Sequence, residues 1–273
     1  MSETFAFAHH TIALDDVRLH YVSAGSGDPV VLLHGWPQTW FEWRRIIPAL
    51  ASRYTVIAPD MRGLGDSSRP VTGYDKRTVA HDIYQLVHKL GFQQVYLVGH
   101  DWGGPVAYAY ACAHPAEVRK LVILDVTIPG EAWEKFPQIT RRGGVWHLAF
   151  HSVRDLPEAL VVGRERTYLS WFYRSLVYNP SAITEEDIDE YERCYAAPAR
   201  CAQGSSIIAQ SSPILITTRK TLKPSSRCRC WRLAVNAVSV TPRCTRCASS
   251  PKMCAVVWSS GRVTGSRKNA RTI

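Results

Sequence analysis

The feature that most constrains the fold is a series of four short, continuous apolar runs, separated by loops and mostly by segments of helical spacing. The runs read PVVLLHG, YTVIAPD, QVYLVGH and KLVILD. Such runs are typical of strands buried on both faces of a sheet. Because strands that alternate with helices form parallel sheets, the sequence predicts an α/β fold with a mostly parallel sheet flanked by helices.

The flanking segments complete this pattern. TIALDDVRLHYVSAG alternates like half-buried antiparallel strands, and helical spacing follows in TWFEWRRIIPALASR, KRTVAHDIYQLVHKLG and GGPVAYAYACAHP. From about Pro129 the segments of helical spacing are rich in aromatic residues and no apolar run appears, which predicts a helical lid. We therefore divide the chain into a core at 1–129, a lid at 130–198 and a tail at 199–273.

Composition changes abruptly where the tail begins. Residues 1–198 contain all 23 acidic residues and 19 of the 33 basic ones, whereas residues 199–273 contain 14 basic residues and no acidic one. The net charge of +10 is therefore a property of the tail, and we expect no nucleic-acid partner. The first residues lack the basic head and apolar run of a secretory signal, and no stretch is long and apolar enough to span a membrane. The sequence predicts a cytoplasmic protein with no membrane partner, and it leaves the oligomeric state open.

The segment VGHDWGG places Asp101 between a predicted strand and a predicted helix. Gly99 and Gly103 give it the spacing of a G-x-S-x-G nucleophile elbow with an aspartate at the centre. Such a turn presents its central side chain at the carboxyl ends of the strands, where open α/β sheets bind ligands. The N–H of Trp102, at the start of the helix, is a candidate oxyanion donor. The alternative is an ordinary strand–turn–helix corner with a capping aspartate.

A second loop, HGWP at residues 34–37, follows the run VVLL. The Trp36 N–H is a candidate for a second oxyanion donor, and the bond before the proline is a candidate cis peptide. His34 and His100 are expected to support loops rather than to act as bases. Both motifs stand at strand ends in the right order, with DMRGLGDSS between them, and this context favours a nucleophilic role for Asp101.

The stretches HGWPQTWFEWRRIIPALASRYTVIAPDMRGLGDSSRP and VGHDWGG resemble the α/β-hydrolase superfamily, and within it the branch of epoxide hydrolases and haloalkane or haloacetate dehalogenases. The resemblance extends from about Thr11 to Pro198. It implies that Asp101 attacks a carbon bearing an epoxide oxygen or a halide and forms an alkyl–enzyme ester. A histidine oriented by a second acid then activates water to hydrolyse the ester. The family chemistry implies no metal and no organic cofactor.

The resemblance leaves the choice between epoxide and halide open. Fluoroacetate dehalogenases carry arginines beside the nucleophile, where this chain has Trp102 and Pro105, so a carboxylate substrate is disfavoured. We expect a small apolar epoxide, with a halogenated compound as the alternative. Trp146 lies where epoxide hydrolases have their first lid tyrosine, and Trp146-His147 resembles a pair in haloacetate dehalogenases. Tyr168 is a further candidate for substrate binding, although such aromatics also commonly pack a lid onto a core.

The family order of nucleophile, acid and histidine is not completed in this chain. No aspartate, glutamate or histidine follows Glu192, and the last histidine is His151, inside the lid. The tail cysteines in RCRCWR and CTRC are loosely spaced for zinc and lack a histidine, so we expect no metal site. A solvated disordered tail, or one that binds DNA, is the alternative reading of this segment.

A shifted reading frame explains the tail better. When the third base of each codon is read with the first two bases of the next, Gln203–Gln210 can encode GIEYYRA. The codons of Ser226–Asn236, with the last base of the Ser225 codon, can encode LTMPVLAVGGE, and Arg262–Arg271 can encode GHWIPEERP. These peptides resemble, in order, the family's lid-end tyrosine segment, its seventh strand and its catalytic-histidine loop. All three use one offset, so the hypothesis is a frameshift near Pro198. The C-terminal strands and helices would then be missing or replaced, and turnover would be impaired.

Overall fold

The computed structural model describes residues 6–126, 146–196 and 255–258. Its strands form one sheet in the order β1-β2-β4-β3-β5-β6-β7, in which β1, β2 and β4 pair antiparallel and the remaining pairs are parallel. The strands are β1 (Ala8–Ala13), β2 (Arg18–Ala24), β3 (Asp28–Leu33), β4 (Tyr54–Pro59), β5 (Val95–His100), β6 (Val118–Leu124) and β7 (Ala255–Trp258). The predicted mostly parallel α/β sheet is confirmed.

Among the described residues, three α-helices belong to the core segment and four follow β6. The helices are α1 (Ile47–Ala51), α2 (Lys76–Lys89), α3 (Gly103–Ala113), α4 (Trp146–Ser152), α5 (Leu156–Val161), α6 (Glu165–Ser175) and α7 (Glu185–Tyr195). Helices α4 to α7 lie within the segment for which the sequence predicts a lid. The predicted boundaries at residues 129 and 198 lie outside the described residues. In the part of the chain that is described, no helix has the length and apolarity needed to cross a membrane.

Two predicted helices are each divided in the structure. TWFEWRRIIPALASR forms a 3-10 turn, Trp40–Trp43, and then the separate helix α1. The break precedes Pro48, whose ring would clash with the carbonyl of residue 44 in a continuous helix and whose nitrogen has no hydrogen to donate. The segment LPEALVVGRERTYLSWFYRSL divides at Gly163, which takes a φ of +78°. That conformation is accessible to glycine but ends a right-handed helix.

Strand β3 shows why its apolar run is continuous. Val31 and Leu33 pack on the side of the sheet that α2 and α3 cover, whereas Val30 and Leu32 pack on the opposite side with Trp40. All four strand side chains are buried. Since β3 is also flanked by β4 and β5, each of its positions after Asp28 is buried, and this confirms the interpretation of the run.

The last strand of the sheet comes from the tail. Ala255–Trp258 pairs in parallel with β6, with Ala255 opposite Leu121. A strand in this place hydrogen-bonds the edge of β6, whose backbone groups would otherwise be unpaired. The sequence predicts that the C-terminal strands are missing or replaced, and the position beyond β6 is here occupied by four residues of the tail. The rest of 199–273 lies outside the described residues.

The parallel strands end together at one edge of the sheet, and this edge positions the site. Strand β3 ends at Leu33, β5 at His100 and β6 at Leu124. The loops that follow β3 and β5 carry Trp36 and Trp102, and apolar residues of α5, α6 and α7 pack with both rings in one buried cluster. The lid segment is therefore in contact with the two motifs that the sequence singles out.

Candidate active site

Asp101 follows β5 in a strained turn. Its φ is +46°, in the left-handed region that residues with side chains rarely adopt. Backbone hydrogen bonds hold the turn on both sides: the Asp101 N–H donates to the Leu124 carbonyl at 3.1 Å, and the Gly104 N–H donates to the Asp101 carbonyl at 2.9 Å. Strain of this kind costs about 1–3 kcal/mol and persists only where neighbouring structure enforces it.

Glycines at the elbow permit an approach that larger residues would prevent. A Cβ on Gly99 would collide with the Gly103 carbonyl, and a Cβ on Gly35 would lie 2.5 Å from the Cβ of Asp101. Real Cβ atoms do not approach other atoms this closely. The G-x-D-x-G spacing is therefore a steric requirement of the turn, and the HGWP loop is pressed directly against the Asp101 side chain.

The HGWP loop supplies a hydrogen bond to the candidate nucleophile. The Trp36 N–H donates to Asp101 Oδ1 at 2.8 Å, and the bond before Pro37 is cis, as the sequence predicts. Trp102 is the N-cap residue of α3, so the other candidate donor lies at the positive end of a helix dipole. Backbone N–H groups in these positions are suited to stabilise negative charge on an oxygen bound to the Asp101 carboxyl carbon.

His34 holds two loops together. Its Nε2 accepts a hydrogen bond from the Met61 N–H at 3.1 Å, so its proton is on Nδ1, which donates to the Gly35 carbonyl at 2.9 Å. Both ring nitrogens are used and the side chain is fully buried. His34 therefore supports the loops after β3 and β4 and has no nitrogen left to act as a base.

His100 has a similar supporting role behind the elbow. Its Nδ1 lies 3.1 Å from one oxygen of Glu42, and the other oxygen of Glu42 accepts the Gly35 N–H at 3.1 Å. Burial lowers the pKa of His100, but the hydrogen bond and charge of Glu42 and the charges of Asp101 and Asp125 raise the pKa to about 9. His100 is thus protonated at neutral pH, which makes it a hydrogen-bond donor and not a base.

Side chains of the predicted lid segment pack around Trp36. The His147 ring stacks on the indole with centroids 5.7 Å apart and planes 9° apart, and the Tyr168 ring meets it edge-on at 6.3 Å. Trp146 packs edge-on against Tyr168 at 6.4 Å and makes no ring contact with Trp36 among the described aromatic pairs. Two of the three lid candidates, His147 and Tyr168, therefore contact the loop that binds Asp101, whereas Trp146 packs behind them.

Two nitrogen atoms of this cluster are buried without a hydrogen-bond partner in the described ranges. They are Trp36 Nε1 and His147 Nδ1. An unpaired buried polar atom costs about 1–3 kcal/mol, so a ligand that pairs with it gains that amount. Burial lowers the pKa of His147, against the opposing charge of Asp101, and keeps this ring neutral. A hydrogen-bonding group of a ligand that reaches either atom would satisfy it.

His151 and Tyr168 form a polar pair within the lid. The Tyr168 hydroxyl lies 2.6 Å from His151 Nε2. Burial, and to a smaller extent the neighbouring His147, lowers the pKa of His151 to about 3. A general base works best when its pKa is near the operating pH, so the last histidine of the chain is poorly suited to activate water.

Two charged residues near the elbow are missed by the sequence analysis. Asp125 follows β6 with a φ of +53°, and β6 is the neighbour of the strand that Asp101 follows. The sequence contains a signal for Asp125, because it stands at the end of the fourth apolar run as Asp101 stands at the end of the third. Lys76 is the first residue of α2 and is buried against Trp102. Nothing in the sequence marks it, since a lysine in the first turn of an amphipathic helix normally faces solvent.

Comparisons with known proteins agree with the fold. A family model described as alpha/beta hydrolase fold matches residues 28–143. A soluble epoxide hydrolase of Corynebacterium sp. (strain C12) is 48% identical over 201 residues, which cover 72% of this chain and 70% of that protein. A fluoroacetate dehalogenase of Burkholderia sp. is 33% identical over 204 residues, 71% of this chain and 66% of that protein.

Solved structures give the same picture. The epoxide hydrolase CorEH, solved without ligand, is 45% identical with a TM-score of 0.71, over 77% of this chain and 75% of that chain. Cfl2 from Burkholderia cenocepacia is 39% identical with a TM-score of 0.74, over 81% of this chain and 76% of that chain. In each comparison about a quarter or more of the matched protein has no counterpart in this chain.

Proposed function

Since this chain belongs to the α/β-hydrolase family, in its branch of epoxide hydrolases and dehalogenases, we propose that Asp101 is the nucleophile of an epoxide hydrolase-type reaction. The observation that carries the proposal is the 2.8 Å hydrogen bond from the Trp36 N–H to Asp101 Oδ1 in the strained elbow. Within the described residues no group hydrogen-bonds Oδ2, so this oxygen is available for attack.

The first step forms an ester. Asp101 Oδ2 attacks a ring carbon of the epoxide, the bond between that carbon and the ring oxygen breaks, and the oxygen takes its electron pair and needs a proton. The Tyr168 hydroxyl is the candidate acid, and Trp36 Nε1 and His147 Nδ1 are buried atoms able to hydrogen-bond the leaving oxygen. The aromatic lining suits a small apolar substrate.

The second step needs a base that the chain lacks. Water must attack the ester carbon, where the Trp36 N–H would hold the oxyanion. His34 uses both ring nitrogens in loop contacts, and His100 is protonated. Burial lowers the pKa of His147 and lowers that of His151 to about 3, so both rings are weakened as proton acceptors near neutral pH. No histidine follows His151. We therefore propose that the ester accumulates and that this chain does not turn over.

The missing base is attributed to a frameshift near Pro198. The composition break, the three out-of-frame peptides and the comparisons support this proposal. The curated epoxide hydrolase matches 72% of the chain, and the unmatched share is about the size of segment 199–273. Sequencing the locus tests the idea directly, because an intact frame through the Pro198 codon contradicts it. Restoring the frame should convert ester formation into repeated diol production.

Intact mass spectrometry after incubation with styrene oxide tests the nucleophile. The chain should gain the mass of one epoxide, and Asp101→Asn should abolish the gain. Asp125→Asn is the matched control, since Asp125 also follows a parallel strand with positive φ, and this variant should still be alkylated. Absence of the adduct in the unmodified chain refutes the nucleophile, and multiple turnovers to diol refute the stalled ester.

Dehalogenation is the second candidate function. It is favoured by the fluoroacetate dehalogenase relative and by the Trp36 Nε1 donor, which is buried without a hydrogen-bond partner in the described residues. Trp102 and Pro105 stand beside the nucleophile instead of arginines, so a neutral haloalkane fits better than a haloacetate. A brominated alkane should release one bromide per chain if this reaction operates, and no bromide if the site is restricted to epoxides.

A further inference from the structure

Lys76 is a buried lysine for which the proposed reaction has no role. It begins α2 and its exposed fraction is only 2%. Lysine is rarely buried this completely unless it is paired, and a cation at a helix N-terminus opposes the helix dipole. The neighbouring carboxylate of Asp75 accepts hydrogen bonds from the N–H groups of Arg77 and Thr78 as the helix cap. The position of Lys76 is therefore unfavourable by local rules.

The contacts of Lys76 connect it to the elbow. Its Nζ lies 4.4 Å from the centroid of the Trp102 ring, which is itself buried. A desolvated ammonium on an indole face gains about 2 kcal/mol or more. Burial lowers the pKa of Lys76 to about 8, and the charges of Asp101 and, to a smaller extent, Asp75 act in the opposite direction. Of these two carboxylates, Asp101 thus has the larger effect in helping Lys76 keep its proton.

We propose that Lys76 is a positioning residue for the nucleophile: its ammonium, held on the face of Trp102, is the counter-charge of the Asp101 carboxylate. This inference rests on the proposed role of Asp101 and adds a charge partner to it. Attraction between two opposite charges is mutual, so an ammonium that is favoured by the Asp101 charge also favours negative charge on the Asp101 carboxyl group.

The coupling has opposite effects on the two steps. Ester formation removes the charge of Asp101 and leaves the Lys76 ammonium without it, so Lys76 opposes the first step. Attack of water on the ester returns negative charge to the Asp101 carboxyl group, and the ammonium favours that return. In a chain that stalls at the ester, Lys76 should therefore hold its proton less tightly after alkylation than before.

Nuclear magnetic resonance of lysine side chains tests the coupling without any reaction. With 13C at the lysine Cε, one of the eight lysine signals should titrate near pH 8, and it should be absent in Lys76→Arg. In Asp101→Asn, which imitates the neutral ester, this titration should move down by about one pH unit, the scale of one nearby opposite charge. Asp28→Asn is the control, because Asp28 lies at the opposite end of the parallel strands. An unchanged midpoint in Asp101→Asn overturns the proposal.

The rate of alkylation gives the reciprocal measurement. In Lys76→Met alkylation at neutral pH should be faster, because the charge that opposes the first step is gone, whereas Lys76→Arg should react like the unmodified chain. Equal rates in all three proteins overturn the coupling. The two proposals fail separately. If no styrene oxide adduct forms but the Lys76 titration moves in Asp101→Asn, only the nucleophile is refuted. If the adduct forms but that titration does not move, only the counter-charge is refuted.

Discussion

The buried ion pair between Arg62 and Asp82 should be among the most sensitive points of the fold. Arg62 Nε and one terminal guanidinium nitrogen donate to the two oxygens of Asp82 at 2.5 Å each, and both side chains are almost fully buried. Arg62 belongs to the loop between β4 and α2, and Asp82 belongs to α2. The pair therefore fixes the loop that brings the start of α2, with Lys76, to the elbow.

Removing one partner leaves the other charge buried. For Asp82→Ala we expect a loss of about 3–5 kcal/mol in the free energy of unfolding, the range measured when a buried pair is broken in this way. Domains have about 5–15 kcal/mol in total, so the loss is a large fraction of it. The pair between Arg193 and Asp66 has the same two-bond geometry, at 3.1 and 2.9 Å, but its side chains are 51% and 40% exposed. Asp66→Ala should cost at most about 1 kcal/mol.

Urea denaturation followed by circular dichroism measures both variants. The free energy of unfolding falls by about 2–3 kcal/mol per molar urea. Asp82→Ala should therefore lower the midpoint urea concentration by about 1–2 M, and Asp66→Ala should lower it by a few tenths of a molar at most. The double variant Arg62→Met with Asp82→Leu should recover much of the loss, because it removes both charges. Equal midpoints for the two single variants would refute the argument that burial, and not pair geometry, sets the cost.

Two further predictions concern pH and the leaving group. Burial lowers the pKa of His20, but the hydrogen bond and charge of Asp60 raise it above the ordinary value near 6.5. The His20–Asp60 pair therefore stabilises the fold fully below about pH 6.5, and this contribution is lost as pH rises through the folded-state pKa of His20. The melting temperatures of the unmodified chain and of His20→Gln should then converge as the pH is raised. Parallel curves of melting temperature against pH contradict this. Tyr168→Phe should slow alkylation by styrene oxide about a hundredfold, the scale of one general acid, and leave alkylation by a bromoalkane unchanged. Equal slowing with both reagents would assign Tyr168 to packing alone.

The parts of the fold that depend on local pattern were predictable. The apolar run of β3 gave a doubly covered strand, and the elbow glycines gave the sharp turn at Asp101, because in both cases neighbouring residues impose the geometry. The signal for the helix break, Pro48, is also present in the sequence, but the apolar spacing on either side of it predicts one continuous helix. Local steric signals were correct wherever they were applied.

The lid and the charges around the elbow were harder to predict. Trp146 and His147 are adjacent in sequence, yet only His147 stacks on Trp36, because the packing of α4 against the core decides which side of the helix faces the site. Lys76 is buried because the loop after β4 places the start of α2 on Trp102. Both outcomes depend on how separate elements are arranged in space, and single-chain patterns contain little of that information.

The elbow has one more consequence. In the described part of the chain, the groups that hydrogen-bond Asp101 belong to the first 126 residues: the Leu124 carbonyl, the Gly104 N–H and the Trp36 N–H. If Asp101 is the nucleophile proposed above, a lineage that loses everything downstream of the predicted lid retains its means of capturing an electrophile. On the proposed chemistry, such a protein is a stoichiometric scavenger, in which one molecule of toxic epoxide is removed per chain made. Its capacity would depend on the rate of protein synthesis rather than on a turnover number.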